Sequence, residues 1–317
     1  MKYLGALLLL FLSIETSFSQ VVWQFNYTDT AGSGFNDSTL GAARRASLES
    51  AAALLGSWIG QSATVQMDIS SVNNSTYGYA TASSVVSLSN GFNKTVIQNK
   101  IQTNGTSDLN GVASDGGMTF NFFYNWSYGD TVGASAYDFK SIALRQLTHA
   151  LGFVSGISEL GRGLNNASSG NADSFLYFDQ FLVDGLGNHL VVLSNGSDPF
   201  SATFDTSRFS DLTNGIYFKG TQAVAGYGAP VPLYSPDVWE DGQSLSHLNN
   251  DSFLPDALME SSVTTGLMSR QWNPAELGIM KDLGYSLTAI PEPSDLCWSL
   301  GGFIGLLYFK GKKKFPL

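Results

Sequence analysis

Arg145, Gln146 and His149 crowd one short stretch, Leu144-Arg145-Gln146-Leu147-Thr148-His149-Ala150-Leu151-Gly152-Phe153. A second histidine stands far downstream, in Ser244-Leu245-Ser246-His247-Leu248, and Leu258-Met259 follows it. On a helix, Arg145 and His149 share one face and Gln146 sits beside them. Neutral imidazole is a metal ligand. Glutamine has the shape of glutamate but takes up no proton at neutral pH, and a guanidinium stays protonated and cannot ligate. Taken singly, His149 and His247 read as packed or solvated side chains. The third histidine, His189, follows Gly187-Asn188 at a turn, a weak position for a ligand. Glu159 and Asp173 have the chemistry to lend a carboxylate, but nothing in the sequence places either one.

The elements that must carry these residues are legible in part. Asp138 is placed to cap a helix running to Leu151, with Gly152 just past its end. Ile142, Ala143, Leu147, Ala150 and Leu151 give that helix a broad apolar stripe. Residues 22–27, 63–69 and 118–123 read as strands, and 43–59 as a helix stopped by Gly60. Residues 156–171 are rich in Gly, Ser and Asn and read as a loop. Residues 175–183 and 190–193 are expected to pair as strands, with Asp184-Gly185 opening the connection. Near the end, Asn273, Pro274 and Glu276 spell a capping box with proline at the first helical position, and the helix should stop at Gly284. The order is mixed α+β, helices set against a sheet.

Composition bounds what such a domain does. The chain has 317 residues and is 43% hydrophobic, enough for one large domain or two small ones. Charged residues are only 13%, about half the usual ~25%, so the surface leans on uncharged polar groups. A net charge of −10 repels phosphate backbones and argues against nucleic acid as a partner. The single cysteine, Cys297, lies near the C-terminus, which leaves residues 20–288 without disulfides or thiolate metal ligands.

Residues 138–285 resemble a zinc metalloprotease of the metzincin kind, nearest to leishmanolysin-like proteins. That pattern is His-Glu-x-x-His-Ala-Leu-Gly-Phe, a long insertion, Ser-His and a bulky residue, a Leu-Met turn, and a last helix ending Asp-Leu-Gly-Tyr. His149-Ala150-Leu151-Gly152-Phe153 is similar to the second zinc histidine and the turn after it. Ser246-His247-Leu248 is similar to the third ligand segment, and Met259 to the Met-turn, though Glu260 and Ser261 follow where proline is usual. The resemblance implies a metzincin-like zincin domain with a mixed sheet, an active-site helix and a C-terminal helix. It implies zinc on His149 and His247 with an open position for water. The departures fall on the chemistry. Arg145 stands where the first zinc histidine belongs, and Gln146 where the catalytic glutamate belongs. At ~4 Å and an effective dielectric of ~20, two unit charges repel by ~4 kcal/mol, and a dication by more. The pattern therefore predicts zinc absent or weakly bound and a site without proteolytic activity.

The two ends predict export. Residues 1–19 hold Lys2, an apolar run over 4–14 and Ser17-Phe18-Ser19, the form of a signal peptide with Gln20 first after cleavage. Residues 289–317 hold Pro291-Glu292-Pro293, an apolar run over 296–309, and Lys310, Lys312, Lys313 and Lys314. The run is shorter than the ~20 residues of a full span, but the lysines form a positive stop. This tail resembles the PEP-CTERM sorting signal of Gram-negative bacteria. The resemblance implies transient inner-membrane anchoring, an exosortase-type sorting enzyme as partner, and delivery to the cell surface or an exopolysaccharide matrix. Three functions follow as expectations: a pseudoprotease that binds peptide as an added strand, an active zinc endopeptidase with a replacement ligand, and a structural matrix protein.

Overall fold

The computed structural model describes residues 20–166, 173–193, 202–204, 215–252 and 257–288. The expected signal peptide at 1–19, the expected sorting tail at 289–317, and the end of the Gly/Ser/Asn-rich stretch lie outside the described residues. Among the described residues, no helix is long and apolar enough to cross a membrane.

The chain runs β1 (Val21–Tyr27), α1 (Gly41–Trp58), β2 (Ala63–Val72), β3 (Ala80–Ser84), β4 (Gly91–Asn93), α2 (Val96–Gln102), β5 (Gly116–Asn121), β6 (Trp126–Ser127), β7 (Tyr137–Asp138) and α3 (Phe139–Ala150). It continues with β8 (Ser174–Leu176), β9 (Leu182–Asp184), β10 (Val191–Leu193), β11 (Ala202–Phe204), β12 (Ile216–Phe218), α4 (Thr221–Tyr227), β13 (Val231–Leu233) and α5 (Pro274–Asp282). The mixed α+β reading holds. The main sheet has the order β1-β2-β5-β3, with β1, β2 and β5 parallel and β3 antiparallel to β5 at the end.

Alternation explains how this sheet packs. In β2, Ala63, Val65, Met67 and Ile69 are buried while Thr64 and Asp68 face out. The buried side carries α1 and α3, which pack against each other. Below them Phe35, Phe120, Phe122 and Phe139 form an aromatic cluster with centroids 4.9–6.3 Å apart. The outer face is held by polar cross-strand pairs, Asn26 to Asp68 at 2.8 Å and Ser70 to Thr119 at 2.8 Å.

α3 sits between the sheet and the C-terminal half, so apolar residues surround nearly all of it. Asp138 caps it as expected, accepting from Ser141 N at 3.2 Å, and is clamped by Arg270 at 2.7 Å. Gly152 ends it at φ +96°, where an added Cβ would also strike the side chain of Gln98. The C-terminal half grips the last turn of α3. Trp272 Nε1 donates to Thr148 Oγ1 at 3.1 Å, and the Tyr285 hydroxyl donates to Leu151 O at 2.7 Å.

One expected pairing is corrected. Residues 175–183 are not one strand: a 3-10 turn over Tyr177–Phe181 separates β8 from β9. β9 pairs with β12, β10 pairs with β11, and only the isolated bridge Val183–His189 joins the two stretches. The cause is Asp179. Its buried carboxylate accepts from Ser155 Oγ, Gly156 N and Leu176 N at 2.7–3.2 Å, which curls the chain there. The reversal at Asp184 does occur, with its carboxylate accepting from Leu186 N and Asn188 N at 2.9 Å.

Candidate functional site

Arg145, Gln146 and His149 project from one face of α3 into a cavity of about 450 Å³, and His247 enters it from the other side. His149 and His247 are 98 residues apart in sequence, yet their Nε2 atoms lie 3.0 Å apart and their rings meet edge to face at 82°. Residues 78–82, running into β3, form the facing wall.

His149 is placed by helix register alone. His247 is placed by a loop pinned at many points. Leu245 N donates to Tyr234 O, Tyr234 N to His247 O, and Leu248 N to Met259 O, each at 2.8 Å. Leu245 holds φ +63°, a strained value for a buried leucine, and this bend turns the next residues toward the cavity. Met259 is fully buried beneath, and its N–H donates to Glu276 Oε1 at 2.7 Å. The other oxygen of Glu276 accepts from Asn273 N at 2.7 Å, so one carboxylate caps α5 and fixes the Met259 turn.

The hydrogen bonds settle the tautomers. His149 Nδ1 lies 2.8 Å from Phe153 O, and His247 Nδ1 lies 3.0 Å from Gln243 O. A carbonyl only accepts, so each Nδ1 carries the proton. Both Nε2 lone pairs then point at each other. Three contacts require three protons, and two neutral rings supply two. Burial, and then the charge of Arg145, oppose a third: they push His149 down to about 3 and His247 well below the usual imidazole range. Carbonyl-anchored imidazoles with converging Nε2 atoms are the arrangement that holds a metal ion from two sides.

The third side is a cation. Arg145 is 6% exposed, and Nη2 donates to Ser261 O at 3.2 Å. Burial lowers its pKa to about 10, outweighing the nearby carboxyl groups of Glu260 and Glu276, so it is charged at neutral pH. Gln146 is buried at the cavity wall. Among the described residues, no group of three or more His, Cys, Asp or Glu side chains is placed to hold a metal. The donor set does not fit a three-ligand zinc site. It offers two imidazoles and a guanidinium.

The structure brings Arg145, Gln146, His149 and His247 together, with Met259 beneath. It does not bring in the other candidates. Glu159 is exposed, and Asp173 is buried elsewhere, accepting from Gly163 N and Asn165 N at 2.8 and 3.0 Å. His189 lies in the turn after β9, away from the cavity wall. Sequence reasoning missed Tyr79, whose hydroxyl donates to Tyr137 at 3.0 Å, and Asp241, Gln243 and Ser261 at the cavity wall. No local signal marks these. Glu276 was legible as a cap but not as the anchor of Met259. Compared with known proteins, the chain matches no family model and no curated protein.

Proposed function

We propose that this is a metzincin-like domain that binds peptides without cutting them, an exported pseudoprotease. The observation that carries the reading is the meeting of His149 and His247 at 3.0 Å beside Arg145. A capped helix, a Ser-His-Leu loop and a buried methionine turn, far apart in sequence, converge on one cavity, which supports the reading. Arg145 and Gln146 then stand where a ligand and a general base would be needed. Neither supplies that chemistry, and a guanidinium opposes a dication. The cleft itself remains. β3 closes one end of the main sheet and its start lines the cavity, so an extended peptide has a strand edge to lie against. Residues 1–19 and 289–317 support export, a membrane-held intermediate, exosortase-type processing and release to the surface or an exopolysaccharide matrix of a Gram-negative bacterium.

The test is zinc content and peptide binding on the purified protein. The expected outcome is less than a tenth of a zinc per chain after dialysis without chelator, no peptide hydrolysis, and saturable peptide binding that weakens in His149→Ala. One zinc per chain with metal-dependent hydrolysis establishes an active endopeptidase instead, the reading that the converging Nε2 atoms favour. Absence of both zinc and peptide binding leaves a structural matrix protein. The double substitution Arg145→His with Gln146→Glu is expected to gain stoichiometric zinc.

A further inference from the structure

The cavity holds a buried cation with unused donors. Arg145 carries five N–H donors, and among the described residues its one hydrogen bond is from Nη2 to Ser261 O. The side chain is more than nine-tenths buried and lines the cavity wall. Glu260 acts on it through its charge, and Asp241 stands at the wall, yet burial is the largest influence on the guanidinium. The adjacent imidazoles each turn Nδ1 to a backbone carbonyl, and their Nε2 atoms meet at 3.0 Å at the cavity wall. With the proton on Nδ1, an Nε2 lone pair is an acceptor. The cavity thus offers donors on one side and acceptors directly beside them.

We infer that the ligand of this cleft is a peptide C-terminus, its carboxylate seated on Arg145 and its last amide N–H directed to the His149–His247 pair. The inference rests on the peptide-binding reading above. A planar carboxylate matches the guanidinium fork, which takes two oxygens at once. A chain terminus brings an N–H donor next to its carboxylate, and the two imidazoles line the same cavity as Arg145, His149 from the same helix and His247 from the facing loop. An acidic side chain offers the carboxylate without that neighbouring donor in fixed geometry. The cavity volume of about 450 Å³ suits one or two terminal residues, with the preceding ones lying along β3.

The experiment is a fluorescence-anisotropy titration of the full chain with three N-terminally labelled probes. These are a tetra-alanine peptide with a free C-terminal acid, the same peptide as its C-terminal amide, and an amidated peptide with one internal glutamate. Charge-assisted hydrogen bonds of this kind support a preference of roughly 10- to 100-fold. The free acid is expected to bind that much more tightly than either amidated probe. In Arg145→Met the three are expected to bind alike, and Arg145→Lys keeps part of the preference because it keeps the charge but loses the fork. Equal binding of acid and amide in the unmodified protein overturns the inference while leaving the peptide-binding reading intact. Tighter binding of the glutamate probe than of the free acid also overturns it, in favour of a side-chain carboxylate. No saturable binding of any probe sinks both. The acid-to-amide ratio in the unmodified protein decides the matter even where Arg145→Met fails to fold.

Discussion

His149 and His247 reach the same point by opposite routes. His149 rides on a 12-residue helix that is capped at its start, ended by a left-handed glycine and buried nearly all round. His247 hangs on a loop whose shape depends on three backbone hydrogen bonds, a strained Leu245 and a buried carboxylate one element away. The first position is a matter of helical spacing, decided locally. The second is a matter of distant partners. Substitutions that act on distant partners should therefore displace His247 and spare His149.

The largest effect is expected from Glu276→Ala. It leaves the N–H groups of Met259 and Asn273 without acceptors, each costing ~1–3 kcal/mol when buried, for a total of about 3 kcal/mol. Denaturant unfolding checks the size. The imidazole NMR signals check the comparison, since the His247 signals should shift more than those of His149. A loss below about 1 kcal/mol would show that the loop is held by other means.

Glu276 also gives the loop-borne half a pH dependence. Burial pushes Glu276 up to about 8 and Asp179 up to about 7. In the unfolded chain these groups titrate near ~4. Between those values the folded state binds more protons, so stability falls as pH rises. The contribution is whole below about pH 4 and is lost as pH passes through about 7 and 8. Below about pH 6.5 the depressed His149 and His247 act in the opposite direction, so unfolding free energy is expected to decline from about pH 6.5 to 8.5, and Glu276→Gln to flatten the upper part of that decline. An unchanged slope in that variant would remove Glu276 from the account.

Gly152→Ala tests the helix-borne half. A left-handed φ and contact with Gln98 together cost about 2 kcal/mol, and the shift reaches His149 through its bond to Phe153 O. Here the His149 signals should move more than those of His247, the reverse of Glu276→Ala. Asn273→Ala is the smallest change. It removes the cap of α5, at about 1 kcal/mol, and loosens the Met259 turn only slightly. A melting temperature equal to that of the unmodified protein would place the whole hold in Glu276.

Much of the frame was legible because its signals are local. The strand alternation of 63–69, the Asp138 cap, the Gly152 stop and the Asn273–Glu276 box all depend on residues within a few positions of each other. α2 was legible too, through Thr95 and Gln98, a reciprocal capping box that the sequence reading passed over. The expected pairing of 175–183 with 190–193 failed for a different reason. The apolar pattern there is real, but Asp179 recruits donors from Ser155 and Gly156, which no window around it contains.

The sequence by itself determined the mixed α+β class, the helix face shared by Arg145 and His149, and the presence of a cation and an amide rather than an imidazole and a carboxylate beside His149. Those follow from residue type and from periods of two and 3.6 residues. Only the tertiary structure decided that His247 joins that face, that both imidazoles are proton-bearing at Nδ1, and that Arg145 is buried with donors to spare. The first and the last depend on contacts across about a hundred residues or more of chain, while each Nδ1 meets a carbonyl four residues away that the folded loop or helix end holds in place. Such contacts form only when the core has packed, because burial and the positions of distant carbonyls and carboxylates set them.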